Sequence, residues 1–382
     1  MISELTLGNF RNYPKSNLHF NSGSTLIVGP NAVGKTNILE AIYALATGKS
    51  FRAETEAEVI REGQAVSRLV GKVIISGTKV AGSPSTSLRA SETKEKGRES
   101  GSGGTEIELE LDWDARERFQ KLYKVNGVGR RQIDFIGHLR AVLFSPGDLE
   151  IVADSPSTRR RYLDGVLSQV YKDYRLAAHL YERALRQRNR LLWRIREEQI
   201  AESVRRIEME YWDGLLVNNG AIIHERRKEY LEFLNNLPSK IFPIELQYDH
   251  SIISPERLEK YAREEIDAAV TLVGPHRDDF AVEKLQDTRN KIQKERDVKL
   301  YGSRGEQRLA VFAIKLGELE YVKTQTGENP ILLLDDIFSE LDHTNRHHIL
   351  EAIPKQQTIM TTTDLHLVEK NLLKHVQLLE LK

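Results

Sequence analysis

An α/β fold interrupted by a long helical insertion is what three features of this sequence predict. The first is a glycine-framed loop, Gly29-Pro30-Asn31-Ala32-Val33-Gly34-Lys35-Thr36, placed between the apolar run Thr25-Leu26-Ile27-Val28 and the helical spacing of Ile38, Leu39, Ala41 and Ile42. The second is a fully apolar run, Ile331-Leu332-Leu333-Leu334, ending in two adjacent carboxylates, Asp335 and Asp336. The third is the change at Pro156 from short strand-like runs to long helical periodicity.

In chain order, residues 1–20 read as paired strands around the turn signals Gly8-Asn9 and Asn12-Tyr13-Pro14, leading into the glycine loop. Strands are predicted over 68–76 and 106–111. Between them lies a stretch rich in Gly, Ser, Thr, Lys and Glu with almost nothing to bury, read as a long loop or insertion. Asn126-Gly127 marks a further hairpin. From Pro156, the residues Leu180, Tyr181, Ala184, Leu185, Leu191, Leu192 and Ile195 fall at three- and four-residue spacing, and a second helical run covers 203–234 and ends at Pro238. Two long helices with a short join predict an antiparallel arm. Strands at 244–248 and 280–282 flank a helix over 255–272. Then follow a helix over 305–323, the strand 331–334, a helix over 343–352, a strand over 358–361 and a last strand near 376–381. The division expected is 1–155 for the first part of a head, 156–271 for the arm and 272–382 for the rest of the head.

The chain has 382 residues, 40% of them apolar and 29% charged, as expected of a soluble globular protein. Lys plus Arg and Asp plus Glu are equal at 56 each, so a nucleic-acid surface would have to arise from local charge asymmetry. The residues 159–196 are strongly basic, whereas 197–232 carry more acids than bases. Two readings of Arg159, Arg160, Arg161, Arg183, Arg186, Arg188, Arg190, Arg194 and Arg196 stay open: a face that follows phosphates, or pairing with the acidic second helix. Cysteine is absent, which removes disulfides and thiolate chemistry and fits the cytoplasm. The opening residues lack a signal-peptide profile and no apolar run reaches membrane-spanning length, so no membrane is expected.

The glycine loop carries a chemistry of its own. Backbone N–H groups of such a loop, together with the following helix N-terminus, surround phosphate oxygens, and Gly29 and Gly34 permit the close approach. Pro30, Asn31, Ala32 and Val33 complete the cradle for ATP, Lys35 reaches the β/γ-phosphates and Thr36 holds Mg²⁺. Asp335 is expected in the Mg²⁺ shell. Asp336, set on the other side by the two-residue alternation of a strand, is expected to polarise the attacking water; capping of a helix by Asp336 is the plainer alternative. The two halves lie about 300 residues apart, too far for one compact βαβ unit, hence the insertion.

Eight segments together resemble the ATP-binding-cassette ATPases of the structural-maintenance-of-chromosomes branch. They are Leu5-Thr6-Leu7-Gly8-Asn9-Phe10-Arg11-Asn12-Tyr13, the phosphate loop, Phe144-Ser145-Pro146-Gly147-Asp148-Leu149, Arg159-Arg160-Arg161-Tyr162-Leu163-Asp164, Arg188-Asn189, Gly274-Pro275-His276-Arg277-Asp278-Asp279, Ser303-Arg304-Gly305-Glu306-Gln307-Arg308 and Leu334 to Asp342. The resemblance implies a P-loop NTPase head of that type with a mixed sheet, and a helical arm inserted in it. It makes Ser303, Gly305 and Gln307 a signature motif that faces nucleotide held by a second copy of the chain, and Ser339 to Asp342 a loop crossing that interface. Within the branch the similarity is to bacterial recombination mediators. This implies an ATP-dependent homodimer on DNA that assists RecA with RecR and RecO in repair, replication and damage response. No chemistry for Gly274 to Asp279 follows from the sequence. Two departures stand out. Thr361-Thr362-Thr363-Asp364 occupies the place where relatives carry a histidine on the γ-phosphate, and Ser145 to Asp148 lacks the usual glutamine. Loss of an imidazole donor implies slow hydrolysis. Arg52 is expected either to touch phosphate or DNA or to be a plain surface arginine. The rival functions are a DNA scaffold that binds ATP with incidental turnover, and an ATPase subunit of a transporter.

Overall fold

The computed structural model describes residues 1–74, 104–113, 118–198, 202–237, 242–288, 291–337, 355–367 and 373–382. Most of the expected loop between 76 and 105, the interface loop 339–342 and the expected helix 343–352 lie outside the described residues. Among the described residues no helix is long and apolar enough to cross a membrane.

Five short strands form a parallel sheet in the order Val376–Glu380, Ser24–Val28, Thr358–Thr362, Ile331–Asp335, Ala141–Phe144. Ala141–Phe144, Ile331–Asp335 and Thr358–Thr362 are buried at every position because both faces of the sheet are covered there, and their polar residues are limited to Asp335 and three threonines. Alternate residues feed two different cores: Ile27, Leu143, Ile331, Leu333 and Ile359 face one, and Leu26, Phe144, Leu332, Leu334 and Met360 the other. The first core is closed by the phosphate-loop helix Lys35–Thr47 and by a six-stranded antiparallel sheet in the order Tyr13–His19, Ile2–Phe10, Val66–Val73, Thr105–Trp113, Phe119–Val125, Val128–Arg130. Parallel and antiparallel strands are thus segregated into separate sheets around one helix. The Asn126-Gly127 turn takes positive φ at both residues, 51° and 73°, which matches the twist of the hairpin it closes.

The second core is closed by the helices Pro156–Val170, Lys172–Glu198, Glu202–Asn236 and Arg304–Thr326. Arm and head therefore share buried side chains. The expected helix over 255–272 is instead two short helices, Pro255–Lys260 and Ala262–Ala268, broken at Tyr261 and ended by Ala269 in the left-handed region. The strand 280–282 extends to Asp279–Thr288 and pairs with Ile244–Asp249 and with Lys291–Asp297, the last not expected from sequence.

Gly274 to Asp279 acquires a physical role, tying the helices Pro156–Val170 and Glu202–Asn236 to the strand that starts at Asp279. Asp278, only 1% exposed, accepts from Arg227 Nη1 at 2.9 Å, from Ser251 N at 2.8 Å and from the Tyr248 hydroxyl. The same arginine donates to Pro275 O at 2.7 Å and to Asp164 Oδ1 at 2.8 Å. Asp279 takes both Nε and Nη2 of Arg159, at 2.5 and 2.9 Å. Gly274 has φ +125°, and a Cβ there would sit 2.2 Å from the Tyr181 hydroxyl. That hydroxyl meets His276 Nδ1 at 2.8 Å, while His276 Nε2 meets Thr271 O at 3.0 Å. A carbonyl can only accept, so Nε2 carries the proton and Nδ1 accepts from Tyr181. Burial pushes the His276 pKa down to about 4.

Two of the nine arginines expected on a basic face are consequently not there. Arg159 is buried against Asp279, and Arg188, 1% exposed, pairs with Asp213 at 2.5 Å and Glu265 at 2.7 Å. Arg194 reaches Glu208 on the second helix at 3.8 Å, as the pairing reading expected, and Glu198 on its own helix; Arg161, Arg183, Arg186 and Arg190 are exposed, Arg186 paired with Glu182 one turn away.

Two measurements follow. Arg227→Leu leaves Asp278 buried without its guanidinium and should cost about 3–5 kcal/mol of unfolding free energy in urea. For His276 the folded pKa lies below the ordinary value, so its contribution is complete above pH 6.5 and is lost as pH falls toward 4. The wild-type protein should lose up to ~3 kcal/mol more than His276→Gln over that interval in parallel urea titrations.

Candidate nucleotide site

The phosphate loop leaves a parallel strand and enters a helix, so its N–H groups gather at the carboxyl edge of the sheet. Gly34 has φ +110°, and a Cβ there would lie 2.6 Å from the Asn12 amide; a Cβ on Gly29 would lie 2.8 Å from Leu381 O. Both glycines are therefore required by space, and Gly34 also by conformation. Lys35 folds back over the loop, its Nζ donating to Gly29 O at 2.8 Å and Pro30 O at 2.9 Å. Burial lowers its pKa, with Asp336 and Asp335 opposing the shift. The opening segment braces the loop from behind: Asn12 Nδ2 donates to Val33 O at 2.8 Å and the Tyr13 hydroxyl to Gly34 O at 3.2 Å.

Asp335 stands where the strand alternation directs it, toward the phosphate-loop helix. Thr36 Oγ1 donates to Asp335 Oδ1 at 2.8 Å, and Thr361 Oγ1 donates to the same oxygen at 2.8 Å. The expectation that Asp336 points to the opposite side is corrected. The strand ends at Asp335, and Asp336 turns into the left-handed region at φ +50°, which brings it into the same cleft as Asp335. Its N–H donates to Thr361 Oγ1 at 2.9 Å. The cleft is lined by Asn31, Ala32, Gly34, Lys35, Thr36, Asn37, Arg52, Asp335, Asp336, Thr361 and Thr363. Thr363 and Thr361, from the segment that lacks the histidine, are thus both in the cleft.

Arg52 lines the cleft as well, and the group that holds it there was not recognised in the sequence. Glu40 is fully buried on the phosphate-loop helix and accepts from Arg11 at 2.6 and 3.0 Å, from Arg52 at 3.0 Å and from the Ser50 hydroxyl at 2.5 Å. Its signal was a lone carboxylate in the apolar run Ile38-Leu39-Glu40-Ala41-Ile42, which buries only if cations meet it.

A hydroxyl and carboxylates converging beside a lysine are hard oxygen donors, the set that suits Mg²⁺ rather than a softer metal. The side chains of Thr36 and Asp335 already meet, and the loop that would hold a triphosphate admits no Cβ at Gly29 or Gly34. The residues fit MgATP. ATP would lie along residues 29–36, with Thr36 and Asp335 toward the cation.

Ser303, Gly305 and Gln307 do not line this cleft. Ser303 is the exposed cap of the helix Arg304–Thr326, and with Glu306 it forms a reciprocal cap: Ser303 Oγ accepts from Glu306 N at 3.2 Å, and Ser303 N donates to Glu306 Oε2 at 2.9 Å. The Ser303 N–H, with Lys284 and Arg296, lowers the Glu306 pKa to about 2. Gln307 turns its amide nitrogen to Val298 O and Lys299 O, each at 3.3 Å, and so braces the turn before the cap. Glutamine is absent from the segment after Phe144 as the sequence says; a tight turn capped by Ser145 and Asp148 stands there.

The chain matches the family model described as "RecF/RecN/SMC N terminal domain" over residues 1–378. It is 35% identical to the "DNA replication and repair protein RecF" of Herpetosiphon aurantiacus over 98% of this chain and 96% of that one. It is 37% identical to the protein of the same name from Symbiobacterium thermophilum, covering 95% and 92%. Among solved structures it superposes on one described as "the recombination mediator protein RecF-ATP in RecFOR pathway" with a TM-score of 0.79, 32% identity and coverage of 96% and 93%.

Substituting Gly34 with alanine should cost about 1–3 kcal/mol from the forced backbone alone. Binding of a fluorescent ATP analogue should weaken at least about tenfold, the equivalent of 1.4 kcal/mol. Lys35→Met should lose binding to a similar degree while leaving the melting temperature within ~3 °C of wild type.

Proposed function

This chain belongs to the RecF branch of the RecF/RecN/SMC family, and on that premise we propose that it is an ATP-operated clamp that binds DNA in replication and repair. The single observation that carries the reading is the separation of two half-sites on one chain. A phosphate cradle with its acids occupies one cleft, and a capped serine-glycine helix start is exposed elsewhere. A helix N-terminus with orphan N–H groups suits an anionic oxygen. Two copies related by a twofold axis would bring each tip onto the other's cradle and make ATP part of the interface. Beside Ser303, Leu300 and Tyr301 are 68% and 66% exposed on a turn held by the Asp297 cap and by Gln307. Apolar side chains presented so rigidly suit a surface that becomes covered.

Bound MgATP supplies the phosphoanhydride whose hydrolysis would release the pair. Lys35 and the loop N–H groups would hold the phosphates, Thr36 and Asp335 would hold the cation, and the Asp336 carboxylate would orient a water through its hydrogen bonds. Thr363, a hydroxyl in place of an imidazole, offers weaker stabilisation of developing charge, which supports slow turnover and a timed switch rather than a motor. The family relationship supports duplex DNA or single-strand/double-strand junctions as the ligand, and RecR, RecO and RecA as partners in the cytoplasm. The exposed Arg161, Arg183, Arg186 and Arg190 are candidates for phosphate contacts. We keep the boundaries 1–155, 156–271 and 272–382 as the division between head and arm.

Mass measurement in solution tests the reading. ATP with Mg²⁺ should convert the wild-type chain from one copy to two, Lys35→Met should remain single, and Asp336→Asn should stay paired for many times longer than wild type. The double variant Leu300→Ser, Tyr301→Ser should bind ATP normally yet pair at least about tenfold more weakly, as expected when two apolar anchors leave an interface. A wild-type chain that stays single with ATP at every concentration, with or without DNA, would overturn the clamp. An Asp336→Asn chain with full repair activity would favour the scaffold.

A further inference from the structure

Asp335 is the acid expected at the cation, yet its position depends on a residue that has no role in the reading above. Among the described residues its side chain is held by two hydroxyls on one oxygen, Thr36 and Thr361, each at 2.8 Å. The two are not equivalent. Thr36 lies on the phosphate-loop helix, where its oxygen is expected to meet the cation while its proton stays on Asp335, whereas Thr361 is 1% exposed on the neighbouring strand, directly opposite Asp335 in the parallel register, and touches both acids.

Thr361 does a second thing with the same atom. Its Oγ1 accepts the Asp336 N–H at 2.9 Å while its proton goes to Asp335, so the hydroxyl is used in both directions and its orientation is determined. The N–H it takes belongs to the residue at φ +50°, a conformation unfavourable for a residue with a Cβ. One buried hydroxyl thereby aims the first acid and anchors the left-handed turn that swings the second acid into the cleft.

We infer that Thr361 is the positioning residue of the acid pair: through its hydroxyl it fixes Asp335 toward the cation and Asp336 toward the water. The inference rests on the ATP reading of the cleft. It gives a use to one of the three threonines of Thr358–Thr362, a strand buried at every position, where a hydroxyl without partners would be a net cost.

The test compares Thr361→Val, which keeps the shape and loses both hydrogen bonds, with Thr361→Ser, which keeps the hydroxyl. Binding of a fluorescent ATP analogue is titrated with Mg²⁺, and turnover is measured separately. In Thr361→Val the Mg²⁺ concentration for half-maximal binding should rise about tenfold and kcat should fall about a hundredfold, the range seen when a supporting partner of a metal ligand is removed. KM for ATP should stay within about twofold, because the loop contacts are intact, and Thr361→Ser should lie within about threefold of wild type. If the valine variant does not fold, Thr361→Cys, with similar shape and a weaker donor, replaces it and should fall between serine and valine. A valine or cysteine variant with a wild-type Mg²⁺ titration and turnover, or a serine variant as impaired as valine, overturns the inference. A wild-type chain that binds no nucleotide, with or without Mg²⁺, sinks instead the reading on which it rests.

Discussion

The constraint on which the rest depends is that the central strands of the parallel sheet are covered on both faces. Strands buried on two sides have nowhere to place a charge except at their ends. Each of Ser24–Val28, Ile331–Asp335 and Thr358–Thr362 accordingly stays nearly free of charged groups until its carboxyl terminus. There the phosphate loop, the acid pair and the threonines emerge together. The site is concentrated at that edge because burial excludes it elsewhere, in keeping with the position of ligands in open parallel sheets.

The same logic explains why the arm is fastened by ions rather than by apolar contacts alone. Apolar packing is tolerant of small slides and rotations, but Asp278 with Arg227, Asp279 with Arg159, and Arg188 between Asp213 and Glu265 admit one arrangement each. Such buried pairs are weak evidence for net stability, since desolvation offsets much of their attraction. Their value here is geometric. They hold Pro156–Val170 and Glu202–Asn236 at defined positions against the segment that follows Gly274, while Arg188, between Asp213 and Glu265, ties Lys172–Glu198 to Glu202–Asn236 and Ala262–Ala268. The helix Arg304–Thr326 packs on that assembly, so the exposed Ser303 cap at its start is positioned by the same set of helices.

Much of this was legible in the sequence, for identifiable reasons. The phosphate loop, Asp335 and the Asn126-Gly127 hairpin depend on local rules: glycine where a Cβ cannot fit, a carboxylate where a buried strand ends, positive φ where a hairpin turns. Gly274 to Asp279 was visible as a motif but not as chemistry, because its partners Arg159, Tyr181, Arg227 and Tyr248 are spread between positions 159 and 248 and only the fold collects them. The basic count on the arm misled in part for the same reason, since an arginine facing a distant carboxylate has the same letter as one facing solvent. The broken helix at Tyr261 had no Gly or Pro to announce it.

Asp336 is the instructive failure. Two-residue alternation correctly sends Asp335 toward Thr36, and if it continued it would send the next carboxylate to the opposite face, away from the lysine. The strand instead stops, and a left-handed residue reverses the direction of one side chain. Periodicity extrapolates only while the backbone is regular, and the irregularity here is stabilised from a different strand, by Thr361. Strain held at a site by a contact distant in sequence cannot be read from the residues on either side of it. It also means that the two acids are not independent. A change that loosens the left-handed turn reaches Asp335 through the shared hydroxyl, and a change at Asp335 frees the hydroxyl that holds the turn. The pair therefore behaves as one mechanical unit, with its fulcrum on a neighbouring strand rather than on the strand that carries it.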